Sequence, residues 1–167
     1  MIPLYQLLAL RIHDELENLD RTARRAERVW KEARLRENDQ DVYVDSAALN
    51  LSSFYSGLER LFESIAKELD GGVPKGETWH RELLRQMTFD VTGIRPPVIA
   101  NESARELDEY RRFRHVVRNV YAEHLDPQRV GELVEKLCNL WGALRAELTA
   151  FAEFLERLSQ ADDEVPA

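Results

Sequence analysis

Apolar residues recur at spacings of three and four along almost the whole chain. Leu4, Leu8, Ile12, Leu16, Leu19, Ala23, Ala26, Trp30 and Ala33 form the first such series, which puts them on one stripe of a long helix. Pro3 suits the first turn, where its missing N–H costs little. Arg36 to Asp41 has no periodic apolar position and predicts a turn. Leu49, Phe54, Leu58, Leu61, Phe62, Ile65 and Leu69 predict a second helix, ended by Asp70-Gly71-Gly72 because glycine supplies a left-handed cap. Thr78 is expected to cap a short third helix carrying Trp79, Leu83, Leu84 and Met87. Gly93 and Arg95-Pro96-Pro97 cannot continue it. Asn101 or Ser103 is expected to cap a fourth helix, with Leu107, Tyr110, Phe113, Val117 and Tyr121 inward. Asp126-Pro127 reads as an N-cap with proline at the first helical position. The fifth helix carries Val130, Leu133, Val134, Leu137, Trp141, Leu144, Leu148, Phe151, Phe154 and Leu155. Residues 159–167, acidic and containing Pro166, read as a disordered tail. No segment alternates with a strand period. The pattern predicts an all-α fold: one antiparallel bundle of about five helices over residues 1–158.

Composition agrees with a globular chain of 167 residues, 44% apolar and 32% charged. A single cysteine excludes a disulfide framework and any cysteine-rich metal site. No apolar run reaches the roughly 18 residues of a membrane helix. Met1-Ile2-Pro3-Leu4-Tyr5 lacks the pattern of a signal peptide, so a cytoplasmic protein without membrane association is expected. The net charge of −8 argues against a protein coated in nucleic acid.

Several chemistries lack their residues. Gly71 and Gly76 have P-loop spacing, but Glu77-Thr78 follows where a lysine is required. Glu77-Thr-Trp-His80 is a single Glu-x-x-His, whereas di-iron bundles need two. No metal or cofactor is expected. Cys138, beside Leu137 and Leu140, reads as a small core residue. Trp79 reads as packing, His80 as a hydrogen-bonded structural residue, and His13 as solvated. Trp30 and Trp141 read as core or dimer anchors.

The fourth helix is electrically lopsided. Glu102, Glu106, Asp108 and Glu109 lie in its first half. Tyr110 to Ala122 holds Arg111, Arg112, Arg114, Arg118 and His115, with no acid. At about 100° per residue, Arg114, Arg118 and Tyr121 fall on one face. These arginines can pair with acids of a neighbouring helix. Alternatively they form an anion site, since arginines one turn apart can grip a phosphate with planar hydrogen bonds. A nearby histidine could then move the proton of a ribose 2′-hydroxyl.

Phe54 to Asp70, Trp79-His-Arg-Glu-Leu-Leu84, Arg95-Pro-Pro-Val98 and Phe113-Arg-His-Val-Val-Arg-Asn-Val-Tyr121 resemble successive blocks of HepT-like proteins of the HEPN superfamily. The resemblance covers roughly residues 45–158. It implies a helical ribonuclease fold, usually dimeric, from prokaryotic toxin–antitoxin pairs. The family signature is an arginine, a polar residue directly after it, and a histidine four to six residues on. It fits here in two registers. Arg118-Asn119 with His124 is one. In the other, Arg114 is the arginine, Asn119 stands in the histidine position, and Tyr121 falls on the tyrosine that a minimal nucleotidyltransferase antitoxin adenylylates.

The resemblance thus implies a homodimer that cleaves RNA without a metal. Arg118 would hold the scissile phosphate with Arg114 assisting, His124 or His115 would move the proton, and Asn119 would orient either. Arg111, Arg112 and Arg114 would bind RNA, and AMP on Tyr121 would switch the protein off. Asn119 favours the alternative, a degenerate module that binds RNA or a partner protein without cleavage. A plain helical interaction protein, its arginines held in salt bridges, is the third reading.

Overall fold

The computed structural model describes residues 3–119 and 125–164. Among them lie five helices: α1 (Leu4–Leu35), α2 (Gln40–Leu69), α3 (Trp79–Gln86), α4 (Asn101–Asn119) and α5 (Pro127–Asp163). No strand is present among the described residues; Val91 and Arg95 form an isolated bridge.

Side-chain pairs show how the long helices run. The Gln40 amide donates to the Ala33 carbonyl at one end of α1 and α2, while Gly57 packs against Glu15 and Leu19 further along. His13 meets Glu156, Arg145 meets Glu17 and Asp20, and Trp141 donates to Asp20. Numbers rise on one helix as they fall on the other, so α1 lies antiparallel to both α2 and α5. Likewise Ser103 meets Glu147 and Arg129 meets Glu109, which makes α4 and α5 antiparallel.

Burial holds the bundle together. Phe54, Leu58, Phe62 and Ile65 of α2 are fully enclosed, with Ile12, Leu107, Leu133, Leu144 and Leu155 from its neighbours. Each such side chain contributes roughly 1.5–3 kcal/mol. The exposed pair Glu27–Lys31 contributes about 0.3–0.5 kcal/mol. The charged faces therefore solubilise the helices and the apolar stripes assemble them. Close approach also matters. A Cβ on Gly131 of α5 would overlap the Trp30 ring of α1, so only glycine lets the indole lie there.

The connection between α3 and α4 is tied to α2 by a buried arginine. Arg95 Nε and Nη2 donate to the two oxygens of Asp70 at 2.7 Å each. Its remaining bonds go to the carbonyls of Gln86, Phe89 and Pro96. Gly93, at φ 79°, makes the turn that brings Arg95 back.

Several local expectations change. α2 begins at Gln40, and Leu49 is 62% exposed because Ala47, Ala48 and Leu51 face the core instead. Thr78 holds the N-cap position of α3 without a side-chain cap bond. Neither Asn101 nor Ser103 caps α4, for both are already helical. Glu147 of α5 does so from outside, accepting from the Ala100 N–H at 2.7 Å and from the Ser103 hydroxyl. Asp126 caps α5 as expected, accepting from the Gln128 N–H at 3.0 Å. Cys138 is exposed, one residue off the buried series Leu137, Leu140, Trp141. His13 is paired with Glu156 at 2.8 Å rather than simply solvated. α5 runs to Asp163, past Ser159 where the tail was expected to start, because Leu155 and Ser159 stay on its buried stripe. No helix among the described residues is long and apolar enough to cross a membrane.

Three substitutions test this packing by urea denaturation. Arg95→Lys, which cannot span both oxygens of Asp70, is expected to cost about 3 kcal/mol, and Arg95→Ala about 3–5 kcal/mol. Gly131→Ala is expected to cost about 1–3 kcal/mol through overpacking against Trp30.

Candidate functional site

Glu59 lies on the inward face of α2, in line with Tyr55, Phe62 and Ala66, and is 6% exposed. A carboxylate on an apolar stripe needs a partner there, because burying an unpaired charge costs several kcal/mol. Two other helices supply partners. Arg114 of α4 places Nη1 3.0 Å from Glu59 Oε1 and Nη2 3.4 Å from Oε2. His80, in the first turn of α3, places Nδ1 2.8 Å from Oε2.

A carboxylate can only accept, so the His80 Nδ1 carries the proton and donates it to Glu59. Arg114 Nη2 also lies 3.1 Å from Nδ1, because both groups converge on one oxygen. The His80 ring stacks on Trp79 with centroids 3.7 Å apart. The Arg114 guanidinium sits 5.0 Å over the Tyr55 ring, with Ser56 Oγ 3.4 Å from Nη1. Burial, and next the Glu59 charge, push the Tyr55 phenol up, so it stays neutral beside the pair.

Arg114 was expected to face RNA. It is 4% exposed instead, with both terminal nitrogens on Glu59. The pairing of Arg114 with an acid of a neighbouring helix, one of the two readings of the arginine face, is the one the fold adopts at this position. Arg118, one turn further along the same face, is exposed. In that turn Val117 still packs against the core, while Arg118 reaches solvent. Arg111 and Arg112 both pair with Asp108, at 2.7 and 3.3 Å, so two cations share one carboxylate and a positive charge remains. His115 is exposed on α4. Asn119 is the last residue of α4. Tyr121 and His124 lie outside the described residues.

A groove of about 450 Å³ between α3 and α4 adds cations beside this face, with Arg81, Arg85 and Arg105 among its lining residues. Among the described residues no group of three or more His, Cys, Asp and Glu side chains is arranged to hold a metal. Glu59 was missed as a site residue. Its signal was present: it is an acid in register with Tyr55, Phe62 and Ala66.

A family model described as HepT-like protein matches residues 46–155. That span includes Glu59, His80, Arg114 and Arg118 and leaves out α1. No curated protein and no solved structure matches the chain.

The two arginines of the α4 face are expected to separate in a stability measurement. Arg114→Ala strands a buried carboxylate and should cost about 3–5 kcal/mol in urea unfolding. Arg118→Ala, at an exposed position, should change stability by less than about 0.5 kcal/mol. Equal losses would contradict the different burial of the two side chains.

Proposed function

The chain belongs to the HepT-like family of the HEPN superfamily, and we propose that it is a ribonuclease toxin that cuts RNA without a metal. The observation that carries this reading is the acid-free run Tyr110–Asn119 of α4, which holds an exposed Arg118 in its last turn on an otherwise acidic protein. Arg118 holds the scissile phosphate, and its planar donors meet the charge that builds on the phosphoryl oxygens. Arg114 supports it from beneath as a positioning residue. Arg111 and Arg112 attract the flanking backbone. The ribose supplies the nucleophile, and the product is a 2′,3′-cyclic phosphate end. The protein works as a homodimer in the cytoplasm, with His124 or His115 as candidate proton carriers and Asn119 orienting phosphate or histidine.

Control comes from a nucleotidyltransferase antitoxin that adds AMP to Tyr121. A bulky anion near the cationic end of α4 would repel the RNA phosphate. Asn119 favours a second reading, a module that binds RNA without cutting it, because an amide cannot move a proton near neutral pH.

Purified protein incubated with RNA in EDTA is expected to release cyclic-phosphate ends, and Arg118→Ala to cut about 100-fold more slowly. Binding without cleavage supports the second reading; neither binding nor cleavage sinks both. Mass spectrometry after co-expression with the antitoxin should find AMP on Tyr121. An unmodified peptide from a neutralised pair overturns the switch.

A further inference from the structure

His80 has one ring nitrogen committed and one open. Nδ1 donates to the buried Glu59 carboxylate at 2.8 Å. Nε2 makes no hydrogen bond among the described residues and is not shut away from solvent, the His80 side chain being 30% exposed. A carboxylate-held imidazole with an open Nε2 is the arrangement of a proton acceptor: the carboxylate sets the tautomer and steadies the imidazolium that forms.

Its position relative to the phosphate-binding arginine follows from helix geometry. Side chains of an α-helix lean toward its N-terminus. Arg118 is one turn beyond Arg114, whose Nη2 is 3.1 Å from the His80 ring. The imidazole of α3 thus packs against α4 one turn from the exposed Arg118. The charged groups facing the ring are Glu59 from α2 and Arg114 from α4. The Trp79 indole covers one face of it and fixes its plane.

We propose that His80 is the general base of this site and Glu59 its positioning residue, a role that rests on the ribonuclease reading above. Nε2 takes the proton of the ribose 2′-hydroxyl as the 2′-oxygen bonds to phosphorus. The bond from phosphorus to the 5′-oxygen breaks. That oxygen takes a proton from the imidazolium or from water and leaves as a 5′-hydroxyl. Arg118 balances the charge on the non-bridging oxygens throughout. An imidazole is thereby supplied to the arginine face from α3, whatever the residue at position 119.

The test compares wild type, His80→Gln, Glu59→Gln, His115→Ala and His124→Ala on a defined RNA in EDTA, across pH 5–9. Folding is followed by circular dichroism. His80→Gln keeps a donor toward Glu59 and is expected to fold. Its kcat should fall at least 100-fold with KM within about threefold, and the acidic limb of the kcat profile should vanish. Added imidazole should restore part of the rate to His80→Ala. Glu59→Gln should lower kcat about tenfold or more and shift that limb. A folded His80→Gln with near wild-type kcat and an unchanged acidic limb overturns the role of His80 while leaving the ribonuclease reading intact. Loss of that limb in His115→Ala or His124→Ala, but not in His80→Gln, overturns it too. Absence of cleavage by wild type overturns the ribonuclease reading itself and this role with it.

Discussion

The Glu59 carboxylate is the point on which the arrangement of three helices turns. It sits in the middle of α2, on the face that otherwise buries Tyr55, Phe62 and Ala66. Its charge is tolerable there only because Arg114 and His80 reach it from α4 and α3. Apolar stripes alone allow neighbouring helices to slide by a turn at small cost, since one leucine resembles another. A buried ion pair does not, because a shift of one turn would separate charges with no water to replace the partner. The pairing thereby selects the register of α4 on α2. That register decides which arginines of α4 are covered and which emerge.

The same logic explains how an acidic protein presents a cationic face. The net charge of −8 repels a polyanion at long range and weakens loose association. Within α4 the acids lie in the first half, and Asp108 is shared by Arg111 and Arg112. Arg81, Arg85 and Arg105 line the groove next to them. Attraction is therefore local and short-ranged, which suits capture of a particular phosphate run better than general coating.

Most of the fold was legible in the sequence, since helices with periodic apolar stripes announce themselves. Asp126-Pro127 and Asp70-Gly71 marked boundaries through local chemistry that needs no tertiary partner. The start of α4 is not legible locally because its cap, Glu147, is supplied by another helix. Cys138 departs from the expected core position because a residue one step off a buried stripe has apolar neighbours in sequence and stays exposed in space. At the site, periodicity grouped Arg114 with Arg118 correctly by face. It could not show where the cover ends along that face, which depends on the reach of α2 and α3. His80 gives no periodic signal, for α3 is short and the ring's partner, Glu59, lies 21 residues earlier on α2. Family resemblance covers blocks of both α3 and α4, and only the packing joins them, through Glu59.

The outside cap on α4 has a consequence for how this domain can change over time. Because Glu147 belongs to α5, the beginning of α4 is written in a distant part of the chain. The middle of α4 is likewise held by Glu59 of α2. The arginine-bearing helix is therefore not an exchangeable cassette. Grafting it from one relative to another would preserve its motif and lose both of its anchors, unless the residues at positions 59 and 147 travelled with it. Divergence in this segment is constrained jointly with α2 and α5, and a hybrid built by swapping helices at their loops should be judged by those two carboxylates first.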